Sequence, residues 1–189
     1  MGRTMIKEIM IEHGAPTLAG IKTGNIFSLE FESEDCKTEI REINMVLTKK
    51  GLRLIPVQKT NKKMMVYLYR PDYLERDLSA PEAEEILADK GYPCGDTACC
   101  IAELVRHLAA DEEFPHEIGL FLGYPPSDVK GFMKSSCDGV KCTGCWKAYS
   151  NENEARRTFE RFDRCRAIYQ SEAKKGKPLE SLVVDTRKS

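Results

Sequence analysis

An α+β fold, with a small antiparallel sheet of about three strands packed by mostly C-terminal helices, is what the residue pattern of this chain predicts. Stretches with the alternation of half-buried strands are confined to the part before Pro71, and almost everything after it has a helical period. Composition agrees: 189 residues, 41% apolar and 31% charged, have the profile of an ordinary solvated globule and not of a disordered tail. A chain of this length buries roughly two-thirds of its unfolded surface and needs no covalent staples.

Thr4 caps a short helix that carries Met5, Ile6, Ile9 and Met10 inward and ends near His13-Gly14, and Pro16 suits the first turn of a second helical piece. Asn25 to Phe31 alternates as a half-buried strand does. Ser33 caps the next helix, whose Cys36, Ile40, Ile43 and Leu47 fall on one stripe, with Gly51 just past its end. Leu52 to Val57 and Met64 to Tyr69 read as a hairpin joined by the polar run Lys59 to Lys63, and Pro71 closes it. Helices follow over Pro81 to Asp89, Asp96 to Ala110, His116 to Leu122 and Pro126 to Met133, the second with Ile101, Leu104, Val105 and Leu108 on one face. The last helix is entered by Asn151 with Glu154 three residues on, a capping-box pair, and turns Ala155, Phe159, Phe162, Cys165 and Tyr169 to one side until Lys174-Lys175-Gly176-Lys177-Pro178 stops it. With no internal repeat, a single domain over 1–175 is expected, followed by 176–189 as a C-terminal tail or, through Leu182-Val183-Val184, an added edge strand.

Lys+Arg (29) nearly balances Asp+Glu (30), and a net charge of −1 argues against a nucleic-acid coat or a membrane-surface binder. Apolar runs such as Met64 to Tyr69 are too short to span a bilayer, and Met1 to Glu8 meets charge too early for a signal peptide's apolar core. A cytoplasmic protein is therefore expected. In that setting the eight cysteines read as thiols, metal ligands or redox groups rather than as a disulfide frame.

Three of them, Cys137, Cys142 and Cys145, share a short polar loop with Gly139 and Gly144. The Cys-x-x-Cys pair lets two sulfurs reach one tetrahedral metal or each other, and the full Cys-x4-Cys-x2-Cys spacing matches the ligand run of plant-type [2Fe–2S] proteins, which take a fourth ligand from elsewhere. Zinc or an iron–sulfur cluster is the implied cofactor, and thiol redox work is the alternative use. Cys99 occupies the first turn of the helix capped by Asp96, where the unpaired N–H groups and the macrodipole favour a thiolate, so Cys99 or nearby Cys94 is placed to be reactive or to supply the missing ligand. The plain reading is packing, since a thiol behaves as a small apolar group. It fits Cys36 and Cys165 on their apolar stripes, and Cys100. Trp146, the sole tryptophan, follows Cys145 and reads as an anchor for the loop.

A second, enzymatic reading uses polar groups at element ends: His13, Lys22, Arg70, His116 and Glu117. Adjacent His116 and Glu117 offer a base with an acid beside it, and Lys22 between Gly20 and Gly24 could meet an anionic substrate. Each has a plainer role available: His13 on the last carbonyls of its helix, His116 and Glu117 decorating a first turn, Arg70 paired with a carboxylate. A third reading takes Glu117 to Met133 as a helix-turn-helix about Gly123. Its second helix is poor in Arg, Asn and Gln and carries Asp128, which does not suit base reading, and a packed helical hairpin explains the same pattern. The partners these readings imply are a small molecule or a redox protein, and not a membrane.

Three stretches resemble a known family: His13-Gly14-Ala15-Pro16-Thr17-Leu18-Ala19-Gly20-Ile21-Lys22-Thr23-Gly24, Phe114-Pro115-His116-Glu117-Ile118-Gly119-Leu120-Phe121-Leu122-Gly123-Tyr124-Pro125-Pro126, and Lys141-Cys142-Thr143-Gly144-Cys145-Trp146-Lys147. The chain is similar to the DUF3793 family of bacterial proteins, found mainly in anaerobic Firmicutes, from about Ile9 to about Tyr169. The resemblance implies no established activity, substrate or cofactor. It does imply a cysteine in many members where this chain has Gly14, so a thiol at that place is not essential here.

Overall fold

The computed structural model describes residues 5–30, 35–59, 63–93, 95–110, 114–135 and 138–188. The fold is α+β, and the chain divides into two compact units, Met1–Asp72 with Phe162–Ser189, and Tyr73–Arg161.

The first unit is built on a three-stranded antiparallel sheet: β1 (Gly24–Glu30), β2 (Arg53–Lys59) and β3 (Lys63–Tyr69), in the order β1-β3-β2. Residues 60–62, within the expected turn, lie outside the described residues. The central β3 has Val66, Tyr67 and Leu68 fully buried, as an apolar run enclosed on both faces should. β1 pairs with it from Gly24↔Tyr69 to Glu30↔Lys63. β2 pairs from Arg53↔Tyr69 to Lys59↔Met64, with a register shift between Pro56 and Gln58. Over the sheet lie α1 (Met5–Leu18) and α2 (Asp35–Leu47), the latter turning Ile40, Ile43 and Leu47 inward. Asn44 of α2 donates through Nδ2 to Leu54 O (2.7 Å) and accepts from Leu54 N (2.9 Å), which fixes the helix to β2. Thr4 and Ser33 lie outside the described residues.

α1 differs from the expectation of two pieces: it runs through Pro16 without a break. A proline in the last turn forfeits one hydrogen bond, and burying Ala15 and Leu18 in the core offsets it. Gly14 lies where α1 meets β3, since a Cβ there would come within 2.6 Å of Leu68 Cδ2. At the other end of the chain, residues 179–182 form the one-turn helix α9 (α8, described below, precedes it), and Leu179, Leu182 and Val183 are buried in the same core as Met10 and Ile43. Where a tail or an edge strand is expected, the chain forms a packed helical turn, because its apolar residues follow an i, i+3, i+4 pattern rather than alternation.

The second unit is helical. The chain enters it through α3 (Pro71–Leu78), a helix beyond those expected, which starts at the proline that closes the hairpin and buries Leu74 and Leu78. α4 (Pro81–Asp89), α5 (Thr97–Ala109), α6 (Ile118–Phe121) and α7 (Pro126–Lys134) follow. Asp96 caps α5 as expected, its Oδ1 accepting from Ala98 N (2.8 Å) and Cys99 N (3.0 Å). Asn151 caps α8 (Glu152–Lys174), which belongs to this unit up to Arg161; its Oδ1 accepts from Glu154 N (3.2 Å). Ala155, Phe159, Phe162 and Cys165 are buried along α8, as their stripe predicts. Among the described residues, no helix is long and apolar enough to cross a membrane.

Candidate functional site

The cysteine loop is a small hairpin. β4 (Cys142–Thr143) pairs with β5 (Lys147–Ala148) in the register Cys142↔Ala148, Thr143↔Lys147, leaving Gly144-Cys145-Trp146 as the turn. Strands of two residues do not hold themselves together. Here Asp128, in the first turn of α7 and 2% exposed, does it for them. Its Oδ1 accepts from Tyr149 N (2.9 Å), Ser150 N (2.8 Å) and Ser150 Oγ (2.7 Å), and its Oδ2 from Trp146 Nε1 (2.8 Å). Burial pushes the Asp128 carboxyl up, but the four donors outweigh it and hold the group below its ordinary value. Tyr124 donates its hydroxyl to Cys145 O (3.0 Å) at the tip and stacks on Trp146 at 4.9 Å, while Trp146 meets Phe159 edge-on at 4.5 Å. Gly144 is required by close approach: a Cβ there would lie 2.3 Å from the Phe159 ring.

Between this hairpin and α6–α7 opens a cleft of about 390 Å³, walled by Phe114, His116, Tyr124, Phe132, Trp146 and Lys147 among others. His116 meets Phe132 edge-on (4.9 Å, 86°), and Lys147 Nζ stands 5.5 Å from the centroid of the same ring. Phe114, about half exposed, lies 6.5 Å from His116. Two of the three stretches that carried the family likeness thus line one cavity.

The other predicted groups fall elsewhere. Glu117, next to His116, turns the opposite way: its Oε1 accepts from Tyr92 OH (3.0 Å) and meets His107 Nδ1 (3.0 Å). His107 Nε2 in turn faces Glu103 Oε1 (3.1 Å). Burial first, and then the charge of Glu117, raise the Tyr92 phenol far above its usual range. The expected acid–base pair is therefore split, because adjacent residues in this tight turn point apart. His107 belongs to this array as well, and nothing in the local sequence marks it. Lys22 and Arg70 lie in the other unit, both buried. Arg70 donates through Nε to Thr17 O (2.8 Å), through Nη2 to Leu18 O (2.9 Å) and Val184 O (2.8 Å), and through Nη1 to Thr186 Oγ1 (2.9 Å), so it clamps the C-terminal segment onto the end of α1. His13 stacks on Phe27 at 5.9 Å.

Of the thiols, Cys137 and Cys94 lie outside the described residues, as does the side chain of Cys36. Cys99 is exposed, and Asp96, by its hydrogen bond and then by its charge, pushes the thiol up, against the thiolate that the helix end would favour. Cys100 is buried and donates to Pro93 O (3.0 Å). Cys142 and Cys145 are both thiols and pack in one apolar cluster with Ala148, Ala155 and Phe159. Among the described residues, no three of His, Cys, Asp and Glu gather in a way that could hold a metal ion. The stretch read as a helix-turn-helix contains the single-turn α6 packed on α7, where a Cβ on Gly119 would come 2.8 Å from Val129 Cγ2, and Asp128 faces the hairpin.

Comparison with known proteins matches residues 10–183, nearly the whole chain, to a family model described as a protein of unknown function, DUF3793. No curated protein and no solved structure matches.

Proposed function

We propose, for a chain that belongs to the DUF3793 family, that the cleft of the Tyr73–Arg161 unit binds a small, flat, largely apolar molecule carrying an acidic group. The observation that carries this reading is the wall itself: Trp146, Tyr124 and Phe132 offer ring surfaces around about 390 Å³, with His116 and Lys147 set into it. That volume falls within the span of small-molecule sites, roughly 300–1,000 Å³. Aromatic walls gain from stacking on a ring, and an ammonium and an imidazole favour a carboxylate or phosphate there. Asp128, which would repel such a group, is engaged by four donors, one on Trp146 in the hairpin turn and three on Tyr149 and Ser150 just past β5. If the bound molecule is also transformed, His116 is the group in the wall suited to exchange a proton with it.

Trp146 is the only tryptophan, so the cleft carries its own reporter. Titration with naphthalene-2-carboxylate should change Trp146 emission to saturation, and the acid should bind about tenfold more tightly than its neutral methyl ester, a difference of about 1.4 kcal/mol. Lys147→Met should remove most of that preference. Emission unchanged up to millimolar probe would end the proposal.

A second reading assigns Cys142 and Cys145 to zinc or an iron–sulfur centre, joined by Cys137 and by Cys94 or Cys99. The support is two thiols in Cys-x-x-Cys spacing on one hairpin. Elemental analysis of protein purified anaerobically should then find about one zinc, or the iron of one cluster, per chain; protein that is metal-free and takes up neither would exclude it.

A further inference from the structure

We infer that Cys142 and Cys145 form a thiol–disulfide switch that reshapes the wall of the cleft. The inference rests on the cleft reading above for its consequence, though not for its chemistry.

Both thiols belong to one hairpin and to one apolar cluster, Cys142 opposite Ala148 and Cys145 at the tip of the turn. The residues between them, Thr143 and Gly144, line the cleft, and so does Trp146 immediately after. A bond between the two sulfurs would close a ring whose backbone is the wall itself. A disulfide holds its two Cα atoms at roughly 4.4–6.8 Å, so closure sets the spacing across the turn. Where the turn adjusts is set by what is already packed. Gly144 lies against the Phe159 ring with no room for even a Cβ, which blocks retreat toward α8. The base of the hairpin is tied to Asp128 through Tyr149 and Ser150. The tip must therefore yield, and with it the Tyr124 OH to Cys145 O bond and the Tyr124–Trp146 stack.

Access orders the steps. Cys145 is half-buried and Cys142 is buried, its Sγ facing Glu152 O at 4.0 Å. A low-molecular-weight disulfide, RSSR, is attacked by the Cys145 thiolate, forming the mixed disulfide and releasing RS⁻. The Cys142 thiolate then attacks the Cys145 sulfur and releases the second RS⁻. Overall, two protein thiols and RSSR give one protein disulfide and two RSH; the two electrons and two protons pass to RSSR. Reduction by excess thiol reverses it.

The full chain is incubated with oxidised glutathione, alkylated and digested. The expected result is a loss of two hydrogens in the peptide holding Cys142 and Cys145, together with a reversible change in Trp146 emission that dithiothreitol cancels. Cys142→Ser should stop at the glutathione adduct on Cys145. No disulfide in that peptide, a bridge to Cys137 or another cysteine instead, or a bridge that leaves Trp146 emission unchanged would each overturn the switch. Naphthalene-2-carboxylate is then titrated into reduced and oxidised protein. An affinity changed about tenfold supports control of the cleft, and equal affinities overturn it. If the probe binds neither form, the cleft reading has failed, while the mass and emission results still decide the switch.

Discussion

Arg70 in one unit and Asp128 in the other are buried charges of opposite sign, 1% and 2% exposed, and each is spent on the chain around it. Arg70 gathers carbonyl oxygens, those of Thr17 and Leu18 at the C-terminal end of α1, where a helix runs out of its own donors, and that of Val184 in the C-terminal segment. Asp128 gathers donors, the N–H groups of Tyr149 and Ser150 and the Trp146 indole. They differ in what lies beside them. The partners of Arg70 lead into the α1 end and the C-terminal segment, whereas Trp146 beside Asp128 presents its ring to a cleft. A buried charge is thus poor evidence of chemistry; the side chain that it positions is better evidence.

The largest way to break this comparison is Arg70→Met. It removes four hydrogen bonds that the buried guanidinium donates and should destabilise the protein by about 3 kcal/mol in urea unfolding, the upper end for losing a charged hydrogen-bonding partner. A loss below about 1 kcal/mol would mean that the clamp is dispensable. Asp128→Asn should cost about 1.5–3 kcal/mol, the range for hydrogen bonds to a charged group. It also sharpens the comparison through pH. Because the folded carboxyl is held below its ordinary 3.8, its contribution is complete above that pH and is lost as the pH falls through the folded value. An acid titration of Trp146 emission should show this step, and the Asn variant should lack it. Gly144→Ala drives a methyl into the Phe159 ring and should cost about 1–3 kcal/mol. It should also alter Trp146 emission at once, whereas an unchanged spectrum would show a turn free to give way. The smallest effect is expected from Asn151→Ala, about 1 kcal/mol of thermal stability for an exposed cap.

Much of this fold could be read from the chain because the signals were local. α4, α5 and α8 announce themselves by apolar stripes with Pro81, Asp96 and Asn151 at their starts, and β2 and β3 by alternation between polar runs. What escaped was held by distant partners. β4 and β5 are too short to carry a period, and the carboxylate that organises them sits 18 to 22 residues away. Arg70 was legible as a polar group at the end of a strand, but its partners lie as far as 116 residues along the chain. In the site, His116 and Trp146 were both singled out, yet their meeting in one wall depends on how α6, α7 and the hairpin pack. Glu117 shows the limit: one residue from His116, it serves Tyr92 and His107 instead.

The interruption in β2 has a consequence for how copies of this chain behave when crowded. β2 is an outer strand, and outer strands are templates on which another molecule can add its own. Pro56 has no N–H to offer, and the extra residue beside it throws the row of backbone groups out of step. A second chain laid along that rim would find its ladder broken midway, so the flaw in the pairing is also a guard against fibre growth.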